Sequence, residues 1–61
     1  SILMKQILLV LYLANGNITE LPVDYAQNCE SAFRQVVLFT ENDVRYNNKI
    51  VDVYTCVYRK E

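Results

Sequence analysis

Cys29 and Cys56 are the side chains in this 61-residue sequence best equipped to do chemistry. A thiol can cross-link, ligate a metal or attack an electrophile, and its surroundings decide which. Two cysteines with no histidine fall short of the four ligands of a structural zinc site within one chain. A nucleophilic cysteine needs a nearby base, and histidine, the commonest, is missing. The strongest remaining reading is a structural disulfide spanning 27 positions, to which chain entropy assigns about 3.5 kcal/mol. Two buried free thiols are the alternative, and the redox compartment decides between them.

The other chemically capable groups have ordinary explanations. Asp24 followed by Gln27 has the form of a capping box, and Glu30 and Glu41 fall on wet positions. Asp43 lies in a turn-rich stretch. Asp52 is a misfit, because period-two alternation puts it on a strand face assigned to the core; the simplest account is that it is solvated or paired with Lys49. Paired-carboxylate hydrolysis therefore finds no support. Arg45, Tyr46 and Lys49, with Tyr54, Tyr58, Arg59 and Lys60, mix rings and cations as single-strand nucleic-acid binders do. Six basic against seven acidic residues leave no field to attract phosphate, so nucleic acid is disfavoured as a partner. The one glycine, Gly16, cannot form a glycine-rich phosphate loop. No catalytic residue, metal or cofactor is expected.

What must position these groups is a small core. A chain of this length buries only about 60% of the surface its unfolded form exposes, so residues 1–61 make one domain and some additional staple is expected. An apolar fraction of 52% with a net charge of −1 excludes disorder. It also leaves enough apolar surface to cover a partner subunit.

Met4 to Gly16 carries a basic start, an apolar stretch and small residues at its end, which are the parts of a secretion signal. It is too short for a membrane span, which needs about 20 apolar residues. Its length fits a fully buried strand better than either, and Ser1-Ile2-Leu3 would extend that strand. Asn15-Gly16 predicts a two-residue type I′ turn. That turn would pair Leu13 with Ile18, Tyr12 with Thr19, Leu11 with Glu20 and Val10 with Leu21. Pro22 donates no ladder hydrogen bond, which predicts an edge strand.

A helix is expected from Asp24 to near Thr40, with Ala26, Cys29, Ala32 or Phe33, Val36 and Val37 on its buried stripe. Residues 41–48 read as a loop, because Glu41-Asn42-Asp43 and Asn47-Asn48 favour turns. Lys49 to Arg59 alternates and is rich in β-branched and aromatic residues, which predicts a strand. The expected fold is α+β, a β-β-α-β chain forming a three-stranded sheet of order 2-1-3 with one helix packed on one face. A right-handed crossover would make the third strand parallel to the second.

In this arrangement Cys29 and Cys56 meet between helix and sheet, with Cα atoms within the range of roughly 4.4–6.8 Å that a bridge needs. Val51, Val53, Thr55 and Val57 then face away from Cys56. Together with Leu9 and Leu11 of the apolar first strand they are the candidate interface residues.

The strand ending Ala14-Asn15-Gly16-Asn17, the helix start Asn28-Cys29-Glu30 and the strand end Tyr54-Thr55-Cys56-Val57 resemble the short reading frames common in marine phages and ocean metagenomes. The resemblance extends over most of the chain. It implies a phage or environmental origin, and it brings neither an activity nor functional residues with it.

The expected function is that of a non-enzymatic protein-protein interaction module. It would be a homodimer through the helix-free sheet face, or a phage accessory protein binding a host or viral protein in the cytoplasm of an infected cell. The rival expectation is a small secreted or periplasmic structural protein stapled by its cysteines.

Overall fold

The structure is a computed structural model that describes residues 6–24 and 26–59. Six elements follow one another: β1 (Gln6–Leu13), β2 (Ile18–Val23), α1 (Cys29–Val36), β3 (Leu38–Phe39), β4 (Val44–Tyr46) and β5 (Lys49–Arg59). The strands form one five-stranded antiparallel sheet of order β2-β1-β5-β4-β3, with α1 on one side. The three-stranded sheet expected from sequence is therefore corrected. The class remains mixed α+β, with strand predominating among the described residues.

The β1–β2 turn differs from the expected one by a single residue. Leu13 N–H donates to Asn17 O at 2.9 Å and Gly16 N–H to Leu13 O at 3.0 Å, which makes Ala14-Asn15-Gly16 a three-residue loop. Only Gly16 has positive φ there, at +93°, as in a type I turn closed by a left-handed residue rather than a type I′ turn. The register becomes Tyr12 with Ile18, Leu11 with Thr19, Val10 with Glu20 and Leu9 with Leu21. A shift of one residue moves a whole strand's side chains to the opposite face. In the expected register Glu20 stands beside Leu11 in the core, where an unpaired carboxylate is expensive. In the observed one Glu20 is exposed, while Leu21 and Val23 join Ile7, Leu9, Leu11 and Leu13.

The helix is also shorter than its periodicity suggests. Its cap is Asn28, whose Oδ1 accepts from Ser31 N–H at 2.8 Å, and Asp24 is exposed outside it. It ends at Val36 because the β-branched Val37 caps it in an extended conformation and Leu38-Phe39 pairs with β4 as a strand. Cys29, Ala32, Phe33 and Val36 form its inward stripe.

The expected loop at 41–48 contains β4 and two tight turns. Asn47 (φ 51°) and Asn48 (φ 68°) both have positive φ between the paired Tyr46 and Lys49, so the type I′ turn is here. At the other end of β4 the Thr40 hydroxyl accepts from Asp43 N–H at 3.0 Å, and Thr40 N–H donates to Asp43 O at 2.9 Å. Asp52 is the extra residue of a β-bulge in β5: Leu13 pairs with Val51 and Tyr12 with Val53, which leaves Asp52 without a partner of its own in β1. The expected strand extension through Ser1-Ile2-Leu3 and Met4 lies outside the described residues.

Candidate interaction surface

β1 is the central determinant, because alternate residues on it serve opposite sides of the sheet. On the helix side, Ile7, Leu9, Leu11 and Leu13 are buried with Val23, Ala26, Ala32 and Phe33. Phe33 stacks on Tyr54 with ring centroids 3.8 Å apart and planes 7° from parallel, and it meets Phe39 edge-on at 6.0 Å. Cys29, the first residue of α1, stands at disulfide distance from Cys56, which pairs with Leu9 in the ladder; their Cα atoms are 5.8 Å apart. Both cysteines are only half-buried.

No described element covers the opposite side of the sheet. The ladder places Leu8 beside Val57 and Pro22, Val10 between Glu20 and Thr55, and Tyr12 between Ile18 and Val53. Tyr12 is 40% exposed, Ile18 60%, Val53 57% and Val57 52%. Ile50 of β5 and Leu38 of β3 are also exposed, with Arg45 of β4 between them in the ladder. At its centre Val10 is buried among its neighbours, outside the helix-side core cluster.

The six residues singled out from sequence divide between the two sides. Val53, Thr55 and Val57 lie together on the open side. Leu9 and Leu11 are fully buried beneath the helix, and the bulge at Asp52 turns Val51 inward against the same core. Leu8, Tyr12 and Ile18 complete the open side, whereas the expected register puts Ile18 on the hairpin face opposite Leu8 and Tyr12. Choosing the turn that keeps Glu20 out of the core would have grouped them.

The polar groups that suggested other chemistry are dispersed. Arg45 donates from Nε and Nη2 to the Asp43 carboxylate at 3.0 and 3.3 Å, and the Thr40 hydroxyl donates to the same carboxylate at 2.6 Å. The bonds from Arg45 and Thr40 hold the Asp43 carboxyl below the usual carboxylate range, and Asp43 in turn raises Arg45. Glu30 pairs with Arg34 on the exposed helix face at 3.3 Å, and Asp52 is exposed in its bulge. Tyr54 is committed to Phe33 and Tyr46 packs against the core, so the rings and cations do not form one stacking platform. The side chain of Arg59, and Lys60, lie outside the described residues.

Among the described residues no three metal-ligating side chains come together, and no helix is long and apolar enough to cross a membrane. A shallow cleft between the end of α1 and the β4–β5 turn offers Gln35, Asn47 and Asn48 amides, and the Arg45 on its wall is already held by Asp43.

No family model, curated protein or solved structure matches this chain. The surface has to be read from its own physics.

Proposed function

We propose that this chain is a non-enzymatic protein-protein interaction module that works through the open face of its sheet, with a second copy of itself as the simplest partner. The observation that carries this reading is the patch formed by Ile18, Tyr12 and Val53, which are neighbours in register, with Val57 on the same side beyond Thr55, each about half in water. Small soluble monomers rarely keep a contiguous apolar patch beyond a few hundred Å² without using it. A two-fold contact needs only one self-complementary patch, so a homodimer is the most economical cover. In the phage setting that the sequence resemblance implies, the same face would serve a host or viral protein.

The test is Val53→Lys. Val53 is on the open side and contributes nothing to the helix-side core, so the circular dichroism of the variant should match that of the parent. Each two-fold interface would bury two unpaired ammonium groups, a cost of several kcal/mol, and the oligomer should dissociate. A variant that sediments like the parent at every concentration contradicts the reading.

A second reading has its own support. Cys29 and Cys56 at disulfide distance favour a secreted or periplasmic structural protein whose cross-link is its main staple. Thiol titration separates the two: bonded cysteines in protein recovered from an oxidising compartment favour the stapled protein, and free thiols favour an intracellular module.

A further inference from the structure

We infer that the Cys29–Cys56 pair is a reducible clamp that decides whether α1 stays on the sheet. The helix has eight residues, fewer than the roughly 12–15 at which an isolated helix becomes even marginal in water, so its helicity depends on docking. Among the described residues it donates no main-chain hydrogen bond to the sheet. Its attachments are the Ala32, Phe33 and Val36 side chains, the sulfur pair and the single residue that joins it to β3. β1, by contrast, is laddered on both sides, to β2 and to β5. The two parts of the core therefore differ in what holds them, and the weaker part carries the cross-link.

The position of the sulfurs suits a clamp. Cys29 is the first helical residue and Cys56 lies opposite Leu9 at the middle of the sheet, so the bond pins the start of α1 directly over the face it covers. Both residues are half-buried, so the pair lies near the surface rather than sealed in the core. A dithiol thiolate attacks one sulfur, the S–S bond breaks, and a mixed disulfide forms with release of the other cysteine as thiolate. The second thiol of the reagent then closes on the mixed disulfide. Two cysteine thiols and one oxidised, cyclic reagent result, with two electrons transferred. Once free, α1 lifts and exposes Leu9 and Leu11, a second apolar face on the strand whose other side is already open.

The experiment is amide hydrogen exchange on the full chain, oxidised and after dithiothreitol, repeated without reductant on the double variant Cys29→Ser, Cys56→Ser. Chain entropy for a cross-link of this span predicts an increase of about 400-fold in opening of the whole domain when the tether is lost. The amides of Ala32 to Val36, which need only the helix to undock, should accelerate at least about tenfold more than those of Leu9 and Leu11, which report opening of the whole domain. Unchanged exchange in α1 overturns the clamp. Equal acceleration in α1 and β1, or a double variant that loses protection throughout, also overturns it by showing one cooperative unit. Sedimentation of the oxidised protein, run alongside, reports on pairing through the open face independently of either result.

Discussion

Replacing Phe33 by alanine should remove the main apolar contact between helix and sheet. Phe33 is 6% exposed and fits between the Tyr54 ring, 3.8 Å away and nearly parallel, and the edge of Phe39. Truncating a buried phenylalanine costs about 3–5 kcal/mol, in transfer energy and in the cavity left behind. A chain of this length has a total stability of about 3–9 kcal/mol at typical per-residue values. Phe33→Ala should therefore use most of the available stability and lower the melting temperature by at least about 12 °C, since each kcal/mol shifts a domain of this size by about 4–8 °C. Phe39 is a control in the same cluster: with half its surface in water, Phe39→Ala should cost about 1 kcal/mol or less. Thermal melts followed by circular dichroism and by tyrosine fluorescence provide the assay, because the chain has five tyrosines, no tryptophan, and Tyr54 beneath the substituted ring. A Phe33→Ala melt within about 3 °C of the parent would refute the placement of α1 over Tyr54.

At Gly16 an added Cβ meets nothing within 4 Å, so Gly16→Val should cost about 1–2 kcal/mol through its positive φ alone, read as a lower denaturation midpoint. Asn in place of Gly16 should cost less, since its side chain tolerates the left-handed region. Asp43 should titrate below a free aspartate because Arg45 and Thr40 hydrogen-bond its ionised form. With the folded value depressed, its stabilising effect on the β3–β4 turn is present above the unfolded value of about 3.9 and is lost as the pH falls through the folded one. A carboxyl titration followed by NMR checks this, and Asp43→Asn should abolish that part of the acid-side loss of stability.

The parts of the structure visible in the sequence are those where local chemistry and burial agree. β1 reads as a strand because an apolar run of this length bounded by Asn-Gly has few other uses, and the stripe of Cys29, Ala32, Phe33 and Val36 reads as helix. The misplaced features are those where two local rules competed. Asn15-Gly16 suits both a two-residue and a three-residue hairpin loop, and only the burial of Glu20 separates them. Asp24 and Asn28 can each cap a helix, and the observed cap is the one nearer the buried stripe. The valines at 36 and 37 prolong a helical stripe on paper, but β3 takes over at Leu38 once β4 supplies a pairing partner, a non-local contact that periodicity does not reveal. β4 itself has only three residues, too few for alternation to emerge between its turns. Asp52 looked anomalous because a bulge interrupts the alternation at that position. The same bulge moved Val51 from the candidate surface into the core. As a result half of the proposed face, Val53, Thr55 and Val57, was legible in advance, and the half contributed by β1 and β2 depended on the turn.

Sedimentation equilibrium of the unmodified oxidised chain, from high nanomolar to high micromolar concentration, tests pairing through the open face most directly. The account predicts a species of twice the 7.1 kDa chain mass that gives way to single chains only on dilution. A single species of 7.1 kDa across that whole range would contradict it.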